Sequence, residues 1–592
     1  MDMDSLTELL SRLVADAFAE AGYAREFGAV GVSDRPDLAQ FQCNGALAAA
    51  KAHRAKPRAI AEAVVEALRN SAPDWFSEIS IAGPGFINLR LKDARLGEHV
   101  ARMAQDERFG CAAAPRPLKV VIDYGGPNVA KPMHVGHLRS ALIGESLKRI
   151  GRFVGHDVIG DVHLGDWGLQ MGMLIVELEL ERPELPYFDA ARDGDYPAES
   201  PVTMADLQRL YPAASLRAKS DPAVMEAARR ATQELQAGRP GYRALWRHFV
   251  DVSVEELRAD YESFGVSFDL WLGESDTQEA IPGMVARLEQ QGFAYRSEGA
   301  LVVDVGDETD RDELPPLILV KSDGAAMYGT TDLATIAKRV EGGAELILYV
   351  VDNRQAGHFR QVFRAAKRTG IAPERVVLEH VPFGTMNGKD GKPFKTREGG
   401  VMRLKDLIEM ITDNARQRMT EADVGRDYDE AERERIARDV GLAALKYADL
   451  MNYRAKDYVF DLDRFSAFEG RTGPYLLYAA VRIRSILRKA EERNVAEGAL
   501  IAPASEGERA LMLELAKLPD VVDAAFAGRA PNHIAEYAYQ LATMFNRFYQ
   551  DHHILREEDR PRQASWLRLS RATADVLQLT LGLLGLNVPE RM

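Results

Sequence analysis

The sequence predicts a multidomain α/β protein built on a doubly wound core, with a helical insertion, an α+β module before the core and an all-helical module after it. Three observations carry this reading. Residues 118–123 read as a buried strand running into Gly125-Gly126-Pro127-Asn128, after which Leu138, Leu142, Leu147, Ile150 and Phe153 recur at helical spacing. Strand, glycine turn and helix is how a doubly wound sheet opens. Between about residues 183 and 299 the alternation gives way to charged, aromatic-dotted helical sequence, and from Leu404 onward everything reads as helix.

Taken in chain order, Leu9, Leu10, Leu13, Val14 and Phe18 form one helical stripe that closes at Gly22. A second helix over residues 60–68 precedes Ile79-Ser80-Ile81, the turn Gly83-Pro84-Gly85-Phe86 and the alternating run 87–91. That makes an α+β module over 1–112, ending in a Pro- and Ala-rich linker at 111–117. Residues 113–470 hold the doubly wound core: its second strand is expected at 158–162, a turn at Gly165-Asp166-Trp167-Gly168, and the next helix at 169–180. Trp246, Phe249, Tyr261, Phe264 and Trp271, inside the insertion, read as core packing between helices. The apolar run 346–351 returns to the sheet, before a polar, glycine-rich loop over 389–400. Residues 471–592 are the helical module.

A length of 592 residues exceeds one ordinary core and is consistent with several domains. No apolar run approaches the roughly 18 residues that span a bilayer, so no membrane association is expected. The acidic start Met1-Asp2-Met3-Asp4 lacks the basic then apolar pattern of a secretory signal, which points to the cytoplasm. Cys43 and Cys111 are the two cysteines, too few for a disulfide framework or a four-thiolate zinc site. A net charge of −15 argues against an indiscriminate DNA or RNA binder. Residues 471–592 carry 16 Lys+Arg against 15 Asp+Glu and are the less repellent surface for a local RNA contact.

The chemistry concentrates at Asn128-Val-Ala-Lys131-Pro-Met-His134-Val-Gly136-His137, where two imidazoles stand three apart around a glycine at an expected helix N-terminus. Free N–H groups there suit a triphosphate, and imidazoles donate to its oxygens as charge builds. A lone His-x-Gly-His fits a structural or metal-binding pair equally well. The metal reading lacks a third ligand nearby, so no protein-bound metal is expected.

The run from Val121 to Ser140 and Gly160 to Gly168 resembles the "HIGH" region of class I aminoacyl-tRNA synthetases in its arginyl form. Lys392-Pro-Phe-Lys395-Thr-Arg397 sits where that class carries its "KMSKS" loop, and Tyr328-Gly-Thr-Thr-Asp332 and Gln355 fall at family positions. The resemblance spans nearly the whole chain. It implies a Rossmann-like catalytic domain, an added N-terminal domain touching the tRNA D-loop, and an anticodon-binding C-terminal domain. It also implies arginine–tRNA ligase activity: ATP, carried with Mg²⁺, activates L-arginine, which passes to the 3′-terminal adenosine of tRNA(Arg). By the same resemblance His134, Gly136, His137 and Lys395 bind ATP, with Arg397 also catalytic. Asp123, Asn128, His134, Tyr328, Asp332 and Gln355 then hold arginine, since planar carboxylate acceptors match a guanidinium. Phe86, Asn88, Tyr475 and Arg482 are the expected tRNA contacts, Phe86 reading equally as a buried strand residue.

One departure stands out. Where the class signature carries a second lysine, this chain has Arg397-Glu398, and Lys131, three residues before His134, is expected to replace the missing cation. Two rival readings are a shorter nucleotidyltransferase, which lacks the helical C-terminal module, and a catalytically silent paralogue acting as an RNA-binding or regulatory protein. Intact His134, Gly136, His137, Asp123 and Asp332 argue against the second.

Overall fold

A computed structural model describes residues 4–592 except 34, 36–37, 193, 308–309, 311–313, 323 and 393–401. The chain divides into two compact units, Met1–Pro115 together with Ala467–Met592, and Arg116–Ser466.

In the first unit, helix Leu6–Glu20 starts on a capping box made by Ser5 and Glu8 and ends before Gly22, whose φ of +85° suits glycine. Four antiparallel strands follow in the order Val30–Val32, Phe41–Cys43, Phe86–Leu91, Phe76–Ala82. Cys43 and Cys111 are free and buried. The C-terminal part is a set of helices that includes Gly473–Glu492, Asn532–Asp551 and Arg560–Leu583. The two parts of this unit bond directly. Ser5 Oγ and Thr7 Oγ1 donate to Asp520 at 2.9 and 2.6 Å, Arg509 Nη2 donates to the Leu91 carbonyl at 2.7 Å, and Arg568 Nη2 donates to the Ala104 carbonyl at 2.7 Å.

The second unit is built on a parallel sheet in the order Val377–His380, Leu346–Tyr349, Lys119–Asp123, Asp157–Asp161. Its apolar strands were legible as runs of buried side chains, because both faces of a parallel sheet are covered. On one face packs helix Val135–Val154, so close that a Cβ on Gly144 would stand 2.2 Å from Cγ of Tyr124. On the other, Val121, Ile347 and Tyr349 join Leu333, Ile336 and Val362 of helices Tyr328–Glu341 and Ala356–Arg368.

Three expectations change. Helix Leu169–Glu181 belongs to the insertion, not to the sheet: Met171, Leu174, Ile175 and Leu178 pack with Leu207, Leu210, Leu235 and Phe249 of the helices that follow. Gly172 permits this, since a Cβ there would stand 2.1 Å from the Ala228 carbonyl oxygen. Second, antiparallel strands Ala294–Ser297, Ala300–Val303 and Leu317–Val320 straddle the expected end of the insertion at 299. Third, the region after Leu404 is not all helix, because Tyr458–Val459 pairs in parallel with Met386–Asn387. The insertion aromatics pack as expected: Phe249, Tyr261 and Phe264 are fully buried, and Trp246 Nε1 donates to the Asp166 carbonyl at 2.8 Å.

Candidate active site

His134 is the N-cap of helix Val135–Val154. Its Nδ1 accepts from the Gly136 amide at 3.0 Å, its own amide donates to His137 Nδ1 at 3.2 Å, and the two rings stack with centroids 4.0 Å apart. With both Nδ1 atoms accepting, each neutral ring carries its proton on Nε2, so each presents one donor. Burial lowers both pKa values, that of His137 to about 3, and the neighbouring imidazole and Lys131 push His137 the same way. The pair is neutral in the absence of an anion. Gly136 has a local cause of its own, since a Cβ there would stand 2.8 Å from Cε1 of the His134 ring.

The turn before this helix is tied to the next glycine turn. The Val129 amide donates to Gly165 O at 3.0 Å and the Gly165 amide to Pro127 O at 3.1 Å, and a Cβ on Gly165 would meet Asn128 Oδ1 at 2.3 Å. Asn128 is exposed, six residues before His134 in the chain. Lys131 Nζ lies 4.7 Å from the ring centroid of Tyr211, a cation–π contact with the insertion.

Across the ends of the strands, Asp332 Oδ2 lies 2.5 Å from His358 Nε2, and Tyr328, 71% exposed, heads the same helix. Gln355 is exposed at the end of the turn Asn353–Gln355. Glu274 is an unanticipated member. Burial pushes its pKa to about 7; Asp166 and Asp332 add to the rise and His163 opposes it. Its charge in turn raises the Tyr328 phenol, burial being the larger cause.

Asp123 needs correction as an open acceptor. Its Oδ2 receives Arg339 Nη2 at 2.7 Å, and the same nitrogen is 2.7 Å from Asp161 Oδ2, so one buried guanidinium already holds two carboxylates. Burial still raises the Asp123 pKa, with Arg339 the main opposing influence. No sequence pattern announced Arg339, whose partners lie 216 and 178 positions away.

Of the expected tRNA contacts, Asn88 turns inward: it is 4% exposed and accepts from Gln42 Nε2 at 2.8 Å. Phe86 is half-buried. Tyr475 is half-buried too, its hydroxyl accepting from Asn546 Nδ2 at 2.9 Å. Arg482 lies 5.0 Å over the Tyr549 ring, at a concavity of about 470 Å³ shared with Lys489, Arg493, His553 and Arg556. Lys395 and Arg397 fall outside the described residues. Among the described residues no group of three or more His, Cys, Asp or Glu is arranged to hold a metal ion.

The family described as the class I tRNA synthetase (R) catalytic domain matches residues 99–462. The arginyl tRNA synthetase N-terminal domain matches residues 4–91, and the DALR anticodon binding domain residues 476–592. Arginine–tRNA ligases of Alkaliphilus oremlandii and Maricaulis maris are each 53% identical over the whole of both chains. The arginyl-tRNA synthetase structure from Plasmodium falciparum superposes with a TM-score of 0.81 at 23% identity, all of both chains being covered, and shares the fold. With a stacked histidine pair at the head of helix Val135–Val154 and matches that run end to end through these relatives, the chain belongs to the arginyl-tRNA synthetase family of class I.

Proposed function

We propose that the chain activates L-arginine with ATP and transfers it to the 3′-terminal adenosine of tRNA(Arg), releasing diphosphate and AMP. The stacked, neutral His134–His137 pair at a helix N-terminus carries this reading. Two Nε2–H donors and the free amides of the first turn suit the phosphates of ATP, whose arriving charge favours protonation of the rings. The arginine carboxylate attacks the α-phosphorus, and diphosphate leaves as the donors take up its developing charge. Mg²⁺ travels with ATP. Lys131 is assigned to the β- and γ-phosphates together with Lys395 and Arg397; reaching them requires it to leave the Tyr211 ring.

The guanidinium is assigned to Asp332 and Glu274, with Tyr328 against its face and Gln355 and Asn128 at the amino-acid end. Asp123 contributes through Arg339, as part of a fixed charge cluster beneath the pocket. A guanidinium satisfies two carboxylates with its five donors, and neutral or shorter side chains leave them unpaired. The basic concavity at Arg482 and the exposed edge of Phe86 are assigned to tRNA, with domains at 1–112, 113–470 and 471–592 dividing the work. The assigned site is cytoplasmic.

ATP–pyrophosphate exchange with arginine, run with and without tRNA, tests the reading. Exchange that needs both arginine and tRNA is expected; its absence under all conditions supports a silent RNA-binding paralogue instead.

A further inference from the structure

Glu274, assigned above to the guanidinium, opens a single helical turn, Glu274–Thr277. It is half-buried, and among the described residues no hydrogen bond or ion pair holds its carboxylate. Its aim therefore depends on its backbone. The demand on that backbone is strict, because misplacing a binding group by about 1 Å costs up to about 10²-fold.

The chain on either side of Glu274 is fixed by the glycine turn at 165–168. The Leu164 amide donates to Leu272 O at 2.7 Å, and the Glu274 amide donates back to Leu164 O at 3.0 Å. Just after Glu274, one side chain grips Ser275 twice: Asp166 Oδ1 accepts the Ser275 amide at 3.0 Å, and Oδ2 accepts the Ser275 hydroxyl at 2.6 Å. Just before it, Gly273 lies against the same carboxyl group, so close that a Cβ there would stand 2.6 Å from Asp166 Cγ and Oδ1. One acid therefore packs on both neighbours of Glu274 without bonding Glu274 itself. Asp166 is 3% exposed; burial raises its pKa, and the two bonds from Ser275 are the main opposing influences. Its own place is held from the insertion, where Trp246 of helix Pro240–Ser263 donates from Nε1 to the Asp166 carbonyl at 2.8 Å and meets the Trp167 ring edge to face at 5.1 Å.

We propose that Asp166 is a positioning residue for arginine recognition: by gripping Ser275 through both carboxylate oxygens and seating Gly273 against its carboxyl group, it fixes the chain on both sides of Glu274 and aims that acid at the guanidinium. A buried acid is costly where an apolar joint would pack as well, and the short bond to the Ser275 hydroxyl has the length of a charge-assisted one. What the acid adds is direction, since two acceptors on one rigid group set both the position and the rotation of the backbone they hold. The histidines assigned to ATP cap a different element, helix Val135–Val154, so the two substrates separate in their response.

The inference rests on the assignment of Glu274 to the guanidinium, and a double-mutant cycle keeps the two apart. Pyrophosphate exchange with tRNA present is measured for the parent, Glu274→Gln, Asp166→Ala, Asp166→Asn, Ser275→Ala and the double variant Asp166→Ala/Glu274→Gln, alongside thermal melting. Asp166→Ala is expected to raise the KM for arginine about 10-fold or more and to leave the KM for ATP within about twofold of the parent. Asp166→Asn is expected to recover most of that loss, because an amide still accepts from the Ser275 N–H and donates to the hydroxyl oxygen. In the double variant the arginine KM is expected to be no worse than in Glu274→Gln alone, since an acid that is gone cannot be misaimed. A parent-like arginine KM in Glu274→Gln defeats the assignment, and the inference with it. If Glu274→Gln raises that KM while Asp166→Ala and Ser275→Ala leave it parent-like, the inference alone is overturned. Strict additivity in the double variant overturns it too, as does a KM for ATP that rises in step with that for arginine. Should Asp166→Ala fail to fold, Ser275→Ala takes its place in the cycle, with an expected rise of at least about threefold.

Discussion

His358 Nε2 stands 2.5 Å from Asp332 Oδ2, so the carboxylate assigned to the arginine guanidinium is oriented from behind by an imidazole. Asp332→Asn replaces a charged acceptor with an amide that brings two donors to face guanidinium donors. The KM for arginine is expected to rise at least about 10-fold, the lower end of a charge-assisted bond worth roughly 1.5–3 kcal/mol, with the KM for ATP little changed. His358→Leu, which leaves the charge but frees its orientation, is expected to show a smaller rise in the same direction. Steady-state charging assays check both.

Glu274 supplies a pH dependence. Its pKa in the folded chain, about 7, lies above the ordinary carboxylate value, so the acid is partly protonated near neutrality and folding favours the neutral form at lower pH. A bound guanidinium favours the ionised form, so arginine binding releases a proton below about pH 7. The KM for arginine is expected to fall as pH rises towards 7, by up to about tenfold per unit, and to level off above it. Glu274→Gln is expected to flatten that slope, and a slope that survives in the variant removes Glu274 from the pocket.

Gly136→Ala is expected to cost activity rather than stability. The added methyl meets the His134 ring at 2.8 Å, and a half-buried ring of this kind moves before the helix does. Displacing both stacked imidazoles lowers kcat by on the order of 10²-fold, the effect of losing a donor aimed at transition-state charge, while the melting temperature stays within a few degrees. A parent-like kcat excludes this role for the ring geometry.

Lys131→Ala is expected to lower kcat by on the order of 10²–10³, or about 2.7–4 kcal/mol, with little change in the KM for arginine. Adding Glu398→Lys is expected to recover part of the loss, a coupling measured by a double-mutant cycle. Strict additivity argues against the compensation. Tyr211→Leu is expected to preserve activity, since it only removes the aromatic face on which Lys131 rests.

Removing residues 1–115 is expected to leave the unit Arg116–Ser466 folded and to destabilise the C-terminal helices. The truncation strips Ser5 and Thr7 from Asp520 and leaves Arg509 and Arg568 without the Leu91 and Ala104 carbonyls. Circular dichroism is expected to register two melting transitions where the whole chain has its helices supported; a truncated chain whose C-terminal helices melt with the parent's midpoint defeats this.

What could be read from the sequence and what could not differ in kind. The strand at 119–123 and the capping histidines announce themselves locally, through an apolar run, a glycine turn and residue types suited to a helix N-terminus, whereas Asp332 was singled out by the family resemblance alone. The helix Leu169–Glu181 was recognised as a helix but given the wrong neighbour, because a stripe of Met171, Leu174, Ile175 and Leu178 fits a sheet face and a helical bundle equally. Asn88 alternates correctly in its strand, yet Gln42 from another strand turns it inward. Arg339 with Asp123, and Arg139 with Asp449 310 positions away, are pairings that only the assembled sheet and helices define.

The sharing of one compact unit by the two ends of the chain also sets a schedule for biosynthesis. Residues 1–115 leave the ribosome first, whereas Asp520, Arg509 and Arg568, to which they bond, are among the last to be made. At roughly 5–20 residues per second, the intervening residues 116–466 take about 20–70 s to synthesise. Through that interval the Ser5 and Thr7 hydroxyls and the Leu91 and Ala104 carbonyls stand without these partners, which makes nascent chains of this protein candidates for chaperone capture until residues 509–568 emerge.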